Sequence, residues 1–224
     1  MQKSDMYDFL VRAAIPPVTE EKNTPKKLWE KKAELEKGRK EEDWERTKEE
    51  EEFNRNEWIW RSVYRAHRDV VVGRQYVEEY SGYNSNEGPN EIADSLYKEI
   101  IQCLESEETG GLTSESLLCF LNKEYNEEVP EDKENVPYGQ LQKLVNMTLK
   151  YLLILNTFEV IKINLPDEER LDCPLDSVIL ESLESSGDLR WTRLSKTQYD
   201  EIQKAIDAKR GSDSRIMYDF KNWQ

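Results

Sequence analysis

One histidine, His67, occurs in the whole chain. That count excludes a two-histidine zinc site, a His-rich metal centre, and every Ser-His-Asp or Cys-His arrangement not built on this residue. His67 falls between Ala66 and Arg68 on an apolar stripe, which suits a packed helix residue better than a general base. The three cysteines, Cys103, Cys119 and Cys173, are far apart, odd in number and form no C-x-x-C. They are expected to be free thiols rather than a disulfide framework. Neither a G-x-x-x-x-G-K-S/T loop nor a G-x-G-x-x-G loop occurs, so neither of these phosphate cradles is present. Gly110-Gly111 reads as a turn, and there is no D-x-D-x-D-G calcium loop. Asp and Glu total 47, so carboxylate pairs occur everywhere and pairing alone points to nothing. No catalytic residue, metal ligand or cofactor site is assigned on this basis.

The charge balance says more. The chain of 224 residues carries a formal net charge of −15, and 35% of its residues are charged against 37% hydrophobic. An ordinary globular domain is nearer about 25% charged and about 45–50% apolar. The imbalance predicts a solvated charged helix or tail beside a smaller part that carries the core. Such a chain repels phosphate backbones and anionic membranes, and suits basic partners. The opening MQKSDMYDFLVRAAIPP lacks the apolar stretch of a signal peptide, and nowhere do 18 apolar residues run together. The expectation is therefore an intracellular protein of the cytoplasm or nucleus, with no membrane span.

The elements that must position any site follow from the pattern. Residues 1–23 read as a leader whose Tyr7, Phe9, Leu10 and Val11 form a short apolar cluster ended by Pro16-Pro17. Tyr7 and Phe9 are candidate docking residues, on this protein or on a partner. Thr24-Pro25 opens a long helical arm, residues 24–80, with Gly38 as a point of possible break. In its first half Trp29, Leu35 and Trp44 stand isolated among charges. In its second half Phe53, Trp60, Val63, His67, Val70 and Val77 form a heptad-like stripe, and Trp58 and Tyr64 add apolar surface on other faces. The second half is expected to be core and the first half an extension. SGYNSNEGPN, residues 81–90, is a linker. Residues 91–211 form a small α(+β) domain, and 212–224 a tail with Tyr218, Phe220 and Trp223. The fold class is mainly α, and no internal repeat organises the chain.

Within 91–165 the order is helix, Gly-containing turn, Thr113-capped helix, polar loop, helix over about 138–155, then the strand FEVIKINL at 158–165 stopped by Pro166. DLRWTRL at 188–194 is its expected partner strand. The order is similar to a winged-helix module, a resemblance to a fold rather than a family. Winged helices occur in DNA readers and in protein-binding subunits alike. A reader would line the third helix with Arg and Lys, but here its basic residues are Lys143 and Lys150, behind a loop with Glu127, Glu128, Glu131, Asp132 and Glu134. The module is therefore read as protein-binding. Ser195-x-x-Gln198 is a capping box opening a helix to about residue 209, which Gly211 closes.

Three function classes follow. The first is a non-enzymatic adaptor or structural subunit of a multiprotein complex. Its partner-binding candidates are Trp29, Leu35, Trp44, Phe53, Trp58, Trp60 and Tyr64 on the arm, Tyr7 and Phe9 in the leader, and Tyr218, Phe220 and Trp223 in the tail. Its partners are proteins with helical or basic surfaces, and the arm offers a route to homo- or hetero-oligomers. The second is a nucleic-acid-associated protein using Lys26, Lys27, Lys31, Lys32, Arg39 and Lys40, or Arg61, Arg65, Arg68 and Arg74. The third is a small carboxylate-based enzyme.

Overall fold

The structure is a computed structural model that describes residues 48–71, 91–106, 112–127, 135–183 and 189–222. The leader, the first half of the arm with Gly38, the linker and Trp223 lie outside the described residues. The described part is mainly α, with seven α-helices and no strand. In chain order they are α1 (Lys48–Val71), α2 (Glu91–Glu105), α3 (Ser114–Asn122), α4 (Tyr138–Thr157), α5 (Ser177–Ser182), α6 (Lys196–Lys209) and α7 (Arg215–Asn222).

Their starts follow the local chemistry. Thr113 and Ser116 form a reciprocal capping box at α3, and Ser195 with Gln198 does the same at α6. Asp176 accepts the Ile179 N–H at 3.0 Å and caps α5. On α2, Ile92, Ala93, Leu96 and Ile100 make one buried face. On α1 the stripe Trp60, Val63, His67 and Val70 is buried as its spacing requires, joined by Ile59 and Ala66.

The centre of the fold is α4. Every residue from Gly139 to Leu155 is buried. Around it pack α1, α3, α6 and the 3₁₀ turn Trp191–Arg193, while α2 bridges α1 and α3. Near the end of α1, Tyr151 donates to Asp69 at 2.5 Å, and the early turns of α1 lie beside residues 159–162. The two helices therefore run antiparallel. At the other end of α4 the Trp191–Arg193 turn comes very close. Gly139 donates its N–H to the Leu194 carbonyl at 3.0 Å, and a Cβ at 139 would stand 1.8 Å from the Trp191 carbonyl oxygen. Only glycine permits that approach.

The expected strands are not there, and the wing of the winged-helix resemblance is absent among the described residues. Residues 158–165 begin as the C-terminal cap of α4. Val160 donates to the Leu155 carbonyl at 2.9 Å and Glu159 to the Asn156 carbonyl at 3.1 Å, with Glu159 at φ 59°. That is a Schellman motif with glutamate where glycine is favoured. The Asn156 side chain then takes the Ile163 N–H at 3.0 Å, which fixes the following chain as an irregular extension. Its expected partner turns as a 3₁₀ helix at Trp191–Arg193 instead. β-branched residues favour a strand only where a neighbour is available to pair.

A left-handed glutamate carries a steric penalty of about 1 kcal/mol that glycine does not. Glu159→Gly is expected to raise the urea midpoint by an amount corresponding to about 1 kcal/mol, with an unchanged m-value. Glu159→Val is expected to lower the midpoint.

Candidate functional site

The aromatic candidates on α1 divide. Phe53, Trp58 and Tyr64 are half-buried. The Arg61 guanidinium lies 4.4 Å from the Trp58 ring, and Arg61 is held by Glu57 at 2.5 Å. Trp60 is wholly buried, stacked with Tyr64 at 6.2 Å and edge-on to Tyr97 of α2 at 5.5 Å. Tyr218 and Phe220 are buried as well. In this fold these three are packed in the protein's own core, where large aromatic groups fill the space between helices. Tyr7, Phe9, Trp29, Leu35, Trp44 and Trp223 lie outside the described residues. In the basic cluster, Arg61 pairs with Glu57 and Arg65 with Asp69 at 3.0 Å, while Arg68 is exposed. Arg74 and the Lys26–Lys40 group are outside the described residues.

The densest polar chemistry among the described residues is inside, around α4, where the sequence pattern marks no site. Gln142 donates to the Leu175 carbonyl at 2.8 Å and accepts the Leu175 N–H at 3.0 Å. Gln203 of α6 treats Cys173 the same way, at 2.7 and 3.3 Å. Two side-chain amides thus satisfy the backbone of an extended segment that no strand accompanies. Asn146 donates to the Tyr199 hydroxyl at 2.9 Å, and that hydroxyl donates to Asp172 at 2.7 Å. Arg215 reaches Asp172 at 2.7 Å and forks onto Asp207 at 2.6 and 3.0 Å.

Two lysines on α4 complete the centre. Lys143 pairs with Asp176 at 2.8 Å. Burial pulls the Asp176 carboxyl upward, but Lys143 and the Ile179 N–H outweigh it and hold it below its ordinary value. Lys150 pairs with Asp219 of α7, both side chains 1% exposed, and its ammonium lies 4.5 Å from the Phe220 ring centroid. Burial lowers the Lys150 pKa, and Asp219 opposes that shift. Cys173 is fully enclosed, and burial pushes its thiol well up, so it is a packed thiol and a poor nucleophile. The missed signal was a polar set at 142, 143, 146 and 150, one helix face that reads as solvated when nothing shows what covers it.

Hollows open on the surface among the described residues. One of about 350 Å³ is lined by Glu51, Glu52, Asn54, Arg55 and residues 159–162. Another of about 530 Å³ lies at the C-terminal end of α4 and is lined by Asn156, Asp167, Glu168, Glu169, Asp213 and Met217 among others. Neither is lined by His67, Lys143 or Lys150. Among the described residues no three His, Cys, Asp or Glu side chains converge to hold a metal ion, and no helix is long and apolar enough to cross a membrane. Comparison with known proteins finds no matching family model, no similar curated protein and no similar solved structure.

Two measurements check this account. Burial draws the His67 pKa down from 6.5 to about 4. The folded imidazole stays neutral where the unfolded one binds a proton, so the stability tied to it is complete above pH 6.5. It falls as pH drops toward about 4, by about 3 kcal/mol in total. Urea titrations across that window should show the loss, and His67→Gln should flatten it. For the inner ion pair, Lys150→Met alone strands a carboxylate and is expected to cost about 3–5 kcal/mol. Lys150→Met with Asp219→Leu is expected to cost less than either single change, in the same urea assay.

Proposed function

We propose that the chain is a non-enzymatic adaptor or structural subunit of an intracellular multiprotein complex, one that presents an acidic exterior and a helical arm to basic or helical partner surfaces. The observation that carries the reading is the enclosure of α4. Its lysines, amides and the thiol of Cys173 are closed against the protein's own backbone and carboxylates. These buried side chains are occupied in holding the fold together. What faces outward is mostly acidic: the whole chain sums to −15, and the hollow at the end of α4 gathers Asp167, Glu168, Glu169 and Asp213. Three free cysteines, one of them exposed, suit a reducing compartment.

The same enclosure weighs against nucleic-acid binding. A reading helix must lay its side chains in a groove, and the helix in that position here is buried from Gly139 to Leu155. The α1 arginines that could reach phosphates are largely matched by carboxylates one turn away.

The test is affinity capture with the full-length tagged chain, compared with Trp58→Ala. The expected result is a stoichiometric protein partner, held less firmly as salt rises, and lost or weakened with Trp58→Ala while far-UV circular dichroism is unchanged. A compact monomer that captures no protein, or retention of nucleic acid in place of protein, overturns the proposal.

A further inference from the structure

The C-terminal helix α7 is a short latch on α4. Met217, Tyr218, Asp219 and Phe220 are all buried. Asp219 meets the enclosed Lys150, Phe220 lies against the same ammonium, and the Tyr218 and Ser182 hydroxyls are 3.1 Å apart. The helix also rests on α5, α6 and the 3₁₀ turn Glu168–Arg170. Its connection to α6 turns at Gly211, φ 65°.

The groove that receives α7 has a specific demand. When the latch lifts, Lys150 loses the carboxylate that pairs with it unless another acid replaces Asp219. Any substitute must bring an acid set between two aromatic residues.

The chain contains such a substitute. Residues 6–9 are Met-Tyr-Asp-Phe, identical to residues 217–220. The protein has only four methionines and five phenylalanines, and the two copies use two of each, so composition does not account for the match. It is too short to build architecture, and its significance emerges only because all four residues of the C-terminal copy are seated.

We propose that Met6–Phe9 is a second ligand for the groove of α7, a competing latch that sets Asp8 on Lys150 and Phe9 in the place of Phe220. The flanks rank the two copies. Ile216 is wholly buried and Arg215 binds Asp172 and Asp207, whereas the leader offers Asp5 and Ser4 at those positions. The leader is therefore the weaker occupant, and α7 holds the groove in the resting chain. Exchange releases the Tyr-Asp-Phe face of α7 to the outside. This inference does not rest on the adaptor reading.

The test is hydrogen exchange of the α7 amides in the full-length chain. Phe9→Ala and Asp8→Ala change only leader residues, and far-UV circular dichroism checks that the helical body is unchanged. Each is expected to slow α7 exchange severalfold, because a competitor for the groove is lost. A synthetic peptide of residues 2–13, added to the wild-type chain, is expected to accelerate α7 exchange in proportion to its concentration, and the same peptide with Asp8→Ala to have no effect. Unchanged α7 exchange in both leader variants overturns the proposal. So does a peptide that acts equally well without its aspartate, since that marks apolar adhesion and not occupation of the Lys150 site.

Discussion

A helix surrounded on all sides has no water to satisfy its polar side chains, so each one α4 carries must be met by the protein. The residues that meet them come from far along the chain. Leu175 answers Gln142, Asp176 answers Lys143, Tyr199 answers Asn146 and Asp219 answers Lys150. Between α4 and α6 the described residues have little regular structure: a six-residue helix, two 3₁₀ turns and an extended stretch. They are held in shape because α4 presents donors and acceptors at fixed positions. The dependence is mutual, since the same segments exclude water from the lysines. Such a network rigidifies a core when every member is matched and weakens it when one is removed.

Much of the helical order was legible in advance, because caps and apolar spacing are local facts. Thr113 and Ser195 mark two helix starts, and the stripe from Trp60 to Val70 marks the buried side of α1. What escaped sequence reasoning depends on distant partners. Residues 158–165 carry the residue types of a strand, yet α4 runs on to Thr157 and a Schellman cap takes the next turn. The resemblance to a winged helix failed at that point. Lys143, Asn146 and Lys150 look like a wet face, and nothing near them in sequence announces Asp176, Tyr199 or Asp219 as their cover. Trp60 and Trp58 follow the stripe: Trp60 lies on it and is enclosed, while Trp58 lies on another face and is half-buried.

The distribution of charge separates inside from outside in an unusual way. Cations and acids within the fold are matched one to one at Lys143–Asp176 and Lys150–Asp219, while the outer surface keeps the excess of carboxylates. Matched pairs in the interior carry no net charge, so the field around the protein comes mainly from its unmatched acids.

The approach of the Trp191–Leu194 turn to Gly139 ties two distant stretches backbone to backbone. Main-chain contact of this kind tolerates almost no adjustment, because neither side has a rotamer to change. The buried indole of Trp191 is thereby anchored to the first turn of α4. The chain holds six tryptophans, so in a variant that keeps Trp191 alone its emission becomes an internal reporter on whether that turn is seated.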